Sequence, residues 1–261
     1  MKDRALVFIK LGGSLITDKE KAYTLRRNNI QNVAKSLSNI IREKKDTLFI
    51  IGNGAGSYGH YAATIHDYHK PFGFAFLQRK VKELNAIIVE ELLRNGIPSI
   101  SLSFSAISTA KSGKLQTIYL DSLKGFLESG VTPALYGDVV YDSKKNSTIF
   151  STENIFSVLC EKLGRSYKIS KMIHLTTVDG FLDENKKVIP HITQRNFSSI
   201  KKNLYKTKGF DVTGGMVHKI EESLKLAKNG IETHIVNGSI DNVLESIVLN
   251  GEGSGTLVTS K

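Results

Sequence analysis

Lys10 sits inside an otherwise apolar run, residues 5–11. An ammonium there is costly unless it emerges at the end of a strand to meet an anion. Gly12, Gly13 and Ser14 follow at once, and Lys19 closes the same segment, IKLGGSLITDK (9–19). A second apolar run, 47–52, opens into GNGAGSYGH (52–60), with four glycines, a serine and a histidine where a buried strand should hand over to a helix. Backbone can approach an anion closely at such a place, and helix N-terminal amides point at it. His60, next to Gly59, can donate a hydrogen bond to a phosphate oxygen, or add positive charge if protonated. A third glycine turn, DVTGGMVHK (211–219), enters a helix with Asp211 or Thr213 as its cap. Lys219 then lies about one turn inside, against the helix dipole, a placement that makes sense if the cation neutralises a phosphate. Two glycine-rich strand ends with lysines imply two phosphate-bearing ligands, and transfer of a phosphoryl group between them.

Each motif has a plainer reading when taken alone. Residues 12–14 also fit an ordinary strand-to-helix turn, and their spacing matches neither GxxxxGK[ST] nor GxGxxG. Lys19 alone reads as a surface lysine after a Thr-Asp turn. TTVDGFL (176–182) ends another apolar run in a polar turn and reads equally well as a loop. His66 and His69 form an HxxH, a poor metal signal outside a defined helix face, and no metal site in the protein is expected.

The elements that must position these residues follow from periodicity. Apolar runs at 5–11, 47–52, 99–103, 132–136, 172–176 and 233–236 predict buried strands. Ile30, Val33, Ala34, Leu37, Ile40 and Ile41 fall on one helix face. Val81, Leu84, Ile88 and Leu92 mark a second helix that stops at Asn95–Gly96, with Pro98 beyond. A third runs from about 214 to 228, with Met216, Ile220, Leu224 and Ala227 on one side. Alternating strands and helices predict an α/β fold, an open αβα sandwich around a mostly parallel sheet. The segment 139–150 breaks the rhythm and predicts a β-hairpin protruding from that body.

The chain has 261 residues, 40% of them hydrophobic, with a mean hydropathy of −0.14. That length can bury one or two cores, and one continuous domain, 1–261, is expected. The net charge is +11, but the lysines are scattered and poorly interleaved with aromatics, so nucleic acid is not the expected partner. Cys160 is the sole cysteine; it reads as a small buried hydrophobe and excludes disulfide frameworks. No apolar stretch is long enough for a membrane span or signal peptide, so a cytoplasmic protein is expected.

Together the motifs resemble the amino acid kinase family, and within it the isopentenyl phosphate kinase branch, which shares its GxGS[FY]GH form with the fosfomycin-phosphorylating kinases. IKLGGSLITDK, GAGSYGH, SFSAIS, YGDVV, TTVDG, DVTGGMVHK and the terminal Gly255–Thr256 occur in the family's order across nearly the whole chain. The resemblance implies ATP at the C-terminal edge of the sheet, an acceptor lobe of about residues 1–165 and a nucleotide lobe of about 166–261. Lys10 would bridge the β- and γ-phosphates, Gly12, Gly13 and Ser14 would line the ATP phosphates, and Lys19 would stabilise the transferring group. Gly54, Gly59 and His60 would hold the acceptor phosphate, with Thr152 beside it and Ala55 on the ATP side. Thr177, Asp179 and Gly180 would lie along the nucleotide, with Gly215 and Lys219 near its phosphates. Mg²⁺ as cofactor, a homodimer, and isopentenyl phosphate or a phosphonate such as fosfomycin as acceptor are implied as well; a nucleotide-binding sensor without catalysis is the reading from another class. Three motifs depart from the family pattern: Asn53-Gly54-Ala55-Gly56 stands for HGGG, Thr177 replaces the first Asp of TDVDG, and Ser151-Thr152-Glu153-Asn154 stands for SGDD.

Overall fold

The computed structural model describes residues 4–206 and 214–261, apart from the side chains of 203–206, 214–216 and 218. In chain order the elements begin with β1 (Ala5–Leu11), α1 (Gly13–Ile16), β2 (Thr17–Asp18), β3 (Thr24–Leu25), α2 (Arg27–Glu43), β4 (Thr47–Asn53), α3 (Gly56–Ile65) and α4 (Pro71–Arg94). Next come β5 (Ser99–Ser101), α5 (Phe104–Ile107), β6 (Ser108–Lys111), β7 (Lys114–Ile118), α6 (Asp121–Glu128), β8 (Thr132–Tyr136), β9 (Asp138–Asp142) and β10 (Asn146–Phe150). The chain finishes with α7 (Thr152–Leu163), β11 (Lys168–Thr176), β12 (His191–Ile192), α8 (Gln194–Lys206), α9 (Gly214–Ala227), β13 (Glu232–Asn237), α10 (Val243–Glu245), a π-helical turn at Ser246–Asn250, and β14 (Thr256–Val258).

Eight strands form the central sheet in the order β12-β14-β13-β11-β1-β4-β8-β5. From β13 to β5 the neighbours are parallel; β14 turns antiparallel to β13 at one edge. Alternation along β1 assigns each side chain to a layer. Val7, Ile9 and Leu11 pack with Ile30, Val33, Leu37 and Ile40 of α2 and Leu84, Ile88 and Leu92 of α4. Leu6 and Phe8 point the other way, into a core with Ile155, Phe156 and Leu159 of α7 and Leu123 and Leu127 of α6. Lys10 shares the parity of Leu6 and Phe8, so it leaves the sheet on the α7 side, one step past the apolar core.

β9 and β10 pair antiparallel. They do not stand alone: β9 also pairs with β6, which pairs with β7, giving a second, four-stranded sheet in the order β10-β9-β6-β7. Asp142 ties its turns together, accepting from the backbone N–H groups of Ser112, Gly113, Lys144 and Lys145. That set of donors holds its carboxyl at about 2, low in the carboxylate range, against a burial effect that would raise it. The far turn docks on the loop between α3 and α4, where Ser147 Oγ donates to the Tyr68 carbonyl at 2.7 Å. No helix among the described residues is long and apolar enough to cross a membrane.

Candidate active site

Three neighbouring parallel strands, β4, β1 and β11, end at the same level, with Lys10 level with Gly52 on one side and His174 on the other. Their exits bring 12–14, 53–56 and 176–180 into one corner of the molecule. The first two bends are joined through backbone: Gly54 N donates to the Leu11 carbonyl at 2.9 Å. Contact there is so close that a Cβ on Gly13 would lie 2.7 Å from Cα and N of Gly56, and one on Gly54 would lie 2.8 Å from N of Gly13. Only glycine permits two stretches of backbone to approach in this way. α3 starts at Gly56 without a cap from its own N-cap residue; Thr17 Oγ1 accepts from the Ser57 amide at 2.9 Å, which leaves the amides of Gly56 and Tyr58 in that turn as partners for an anion.

A cavity of about 480 Å³ opens at this corner. Lys10, Gly12, Gly13, Ser14, Lys19, Gly54, Ala55, Gly59, His60, Thr152 and Lys219 all line it. Thr177, Asp179 and Gly180 lie outside the lining, although Thr177 Oγ1 donates to Ser14 Oγ at 3.4 Å. Asp179 is held by Asn237, whose Nδ2 donates to its Oδ1 at 2.8 Å. Gly215 lies in the first turn of α9, but its surroundings, like Asp211 and Thr213, fall outside the described residues.

Lys10 is 4% exposed, and its Nζ lies 3.0 Å from Glu153 Oε1. Burial pushes the Glu153 carboxyl up, but Lys10, His174 (protonated at the acid pH where Glu153 titrates) and Lys219 outweigh it and hold the group at about 2. Lys219 is half-buried, and its ammonium is pushed below the ordinary lysine value by burial and then by Lys10, with Glu153 opposing. His174 lies next to Lys10 in the register, and its Nδ1 finds no partner among the described residues. Burial and the Lys10 charge drive it to about 3, so it is neutral at physiological pH. Beside the strand ends the floor therefore sets two lysines, Lys10 and Lys219, against the Glu153 carboxylate.

At the rim, Lys19 follows β2 and His60 sits on the second turn of α3, both exposed. Desolvation and then Lys19 push the His60 ring below its ordinary value. Both effects favour the neutral, hydrogen-bonding form of the ring over the cation.

Thr152 occupies the position where the resemblance expects glycine, and its bulk is accommodated from below. Its Oγ1 donates to the Asn53 carbonyl at 2.7 Å. Its methyl fills space that a Cβ on Gly52 would contest at 2.7 Å. The Asn53 side-chain Oδ1 accepts from Asn85 Nδ2 of α4 at 2.8 Å, which anchors the strand exit to the helix layer.

Sequence reasoning missed three features. Glu153 was visible only as a departure from SGDD; its pairing with Lys10 spans 143 positions and has no local signature. Asp138, also in the lining, is 1% exposed and is satisfied by the amides of Ser105 and Val139. The apolar wall is made by Ala63, Leu77, Val81, Val139, Ile149 and Phe150. Of the apolar residues at 72–77 and 87–88, only Leu77 reaches the cavity. Phe72 is 67% exposed on the outer surface, and Ile88 is buried in the α2–α4 core.

The amino acid kinase family profile matches residues 5–237. Isopentenyl phosphate kinase from Methanothermobacter thermautotrophicus is 32% identical, aligned over 98% of this chain and 100% of its own. The enzyme of the same name from Methanocaldococcus jannaschii is 31% identical over 96% and 97%. The Arabidopsis thaliana isopentenyl phosphate kinase is 26% identical over 88% and 86%. A solved X-ray structure of isopentenyl phosphate kinase superposes with a TM-score of 0.79 at 28% identity, covering 97% of this chain and 99% of the other. On sequence and on fold alike, the chain belongs to the amino acid kinase family.

Proposed function

We propose that this protein is an ATP-dependent kinase that transfers the γ-phosphoryl group to a phosphate oxygen of isopentenyl phosphate, giving isopentenyl diphosphate and ADP. The observation that carries the reading is the convergence of Lys10, Lys19, His60 and Lys219 on one cavity whose floor is two glycine bends in backbone contact. The names of the similar enzymes point to the same acceptor.

The acceptor is a phosphate monoester whose second ionisation lies near pH ~6, so it is already a nucleophile at neutral pH. One of its oxygens attacks the γ-phosphorus, the bond to the β–γ bridging oxygen breaks, and the electron pair leaves with ADP. No proton need move. The barrier is the meeting of two polyanions, so catalysis rests on charge neutralisation and alignment. Lys10 and Lys219 would neutralise the donor's phosphates, with Glu153 holding Lys10 in place. Lys19 would meet the transferring group, and His60 would hold the acceptor phosphate where Gly54 and Gly59 let it approach the backbone closely, their own amides being engaged by the Leu11 and Ala55 carbonyls. Gly12, Gly13, Ser14 and Ala55 would line the donor side, and Thr177, Asp179, Gly180 and Gly215 would follow the nucleotide. The apolar wall gives an isoprenoid tail a surface to bury against, which favours isopentenyl phosphate over a small polar phosphonate.

Among the described residues, no group of three His, Cys, Asp or Glu stands ready to cage a metal. A Mg²⁺ held by the nucleotide's own phosphate oxygens needs no such cage; when bound it supplies further neutralisation of the phosphates. The division into an acceptor lobe of about 1–165 and a nucleotide lobe of about 166–261, and a homodimeric state, are supported by the family resemblance.

Phosphorus NMR of the purified protein with ATP, Mg²⁺ and isopentenyl phosphate tests the reading. A pair of diphosphate resonances appearing with ADP is the expected result. Turnover of fosfomycin but not isopentenyl phosphate would move the acceptor to the phosphonates. ADP release with neither would overturn the kinase assignment in favour of a nucleotide sensor.

A further inference from the structure

Lys19 rides on a five-residue turn, 19–23, between β2 and β3, and nothing in its own side chain fixes it over the cavity. Tyr23 ends that turn with φ of 53°, a left-handed backbone that an aromatic residue rarely adopts. Its ring leaves the turn and enters a cage on the far side. Tyr58 meets it edge-on at 5.5 Å, Tyr61 lies at 6.5 Å, and Lys80 Nζ of α4 stands 4.6 Å over its face. Tyr61 also reaches back into the turn, its hydroxyl donating to the Glu20 carbonyl at 2.9 Å. The Tyr23 hydroxyl is buried without a partner among the described residues. The ring, not the hydroxyl, therefore makes the attachment.

Two of the cage residues flank the acceptor-side histidine on α3: Tyr58 lies two positions before His60 and Tyr61 one position after. We infer that Tyr23 is a positioning residue, an aromatic anchor that fixes the Lys19 turn to helix α3 and so sets the separation of Lys19 from His60 across the cavity mouth. A left-handed turn gripped by aromatic rings and a cation leaves Lys19 one place to stand. The inference rests on the proposed kinase reading for its catalytic consequence, but not for the anchoring itself.

Two measurements test it separately. Hydrogen–deuterium exchange of the peptide covering 17–25 reads the anchor. Tyr23→Ala should raise exchange there about tenfold or more, while Tyr23→Phe leaves it unchanged; equal protection in Tyr23→Ala overturns the anchor. Steady-state kinetics reads the consequence. Because displacement by about 1 Å can cost ~10²-fold in rate, Tyr23→Ala should lower kcat ~10–100-fold with a smaller change in the KM for ATP. Tyr23→Phe should restore it. In a Lys19→Ala background the further loss from Tyr23→Ala should shrink to about twofold. Multiplicative losses would overturn a role exerted through Lys19. Should Tyr23→Ala fail to fold, Tyr61→Phe releases the Glu20 carbonyl more gently and should move both readouts in the same direction, by about three- to tenfold; no movement in either counts against the anchor. An enzyme without phosphoryl transfer sinks the kinase reading, and the exchange experiment still decides the anchor.

Discussion

The floor and the rim of the cavity hold positive charge in opposite ways. On the floor, Lys10 is almost fully buried, paired with Glu153 at 3.0 Å, and set by strand register between Gly52 and His174. At the rim, Lys19 and His60 are exposed, and neither comes from a strand of the central sheet. A buried lysine must be balanced by a carboxylate, so floor residues do two jobs, holding the fold and meeting the ligand. A rim residue is solvated and does one. Binding and stability are thus coupled at the floor and separable at the rim.

The sharpest test is Lys10→Ala. Loss of a preorganised cation should lower kcat by about 10²–10³-fold. It also strands the Glu153 carboxylate in a mostly buried place, at a cost on the order of 3 kcal/mol, seen as a lower urea midpoint. The double change Lys10→Ala with Glu153→Gln should recover much of the stability and none of the rate. His60→Ala should give a comparable loss, ~10²–10³-fold, confined to kcat/KM for the acceptor. Its urea midpoint should match wild type. A rim variant as unstable as Lys10→Ala would erase the distinction.

Acid separates the regions in another way. The Glu153 carboxyl is held at about 2 in the folded protein against an ordinary 4.5. A depressed acid contributes stability that is present above the ordinary value and lost as pH falls toward the folded one. The difference in unfolding free energy between wild type and Glu153→Gln should therefore shrink between about pH 4.5 and 2, by up to about 3 kcal/mol. No such convergence is expected for His60→Ala. The smallest effect lies on the apolar wall. Ile149 is 47% exposed, so Ile149→Ala removes only part of a side chain's burial, about 1 kcal/mol. The KM for isopentenyl phosphate should rise about fivefold and that for a phosphonate hardly at all. Equal shifts for both would remove the wall as the source of preference.

Legibility in the sequence followed the same line. Lys10 announced itself because an ammonium in an apolar strand demands a partner, and the glycine bends because close backbone approach demands glycine. The strands at Ala5–Leu11 and Thr132–Tyr136 matched their apolar runs residue for residue. What no local pattern carries is pairing at a distance. Glu153 meets Lys10 only because α7 begins where β10 ends. β6 and β7 are short and half-polar, and take their place by pairing with the hairpin rather than by burying a face. α4 starts at Pro71, ten residues before the apolar periodicity that revealed it. In its first turns Phe72 and Phe76 meet His66, while Phe74, Phe76 and Leu77 pack on a small separate cluster with Ala62, Val81 and Tyr136, so apolar residues there fall on more than one side of the helix.

The backbone bond from Gly54 to Leu11, with Gly13 and Gly56 touching beneath it, has a consequence for how such an enzyme can change. On the proposed assignment the donor-side and acceptor-side bends form one gauge there, its length fixed by a backbone hydrogen bond and backbone contact rather than by the span of side chains. New acceptors can be accommodated by altering the wall around Ile149 and Leu77 while the reach of the transferring oxygen stays constant. The molecule can alter what it recognises without retuning how far the phosphoryl group must travel.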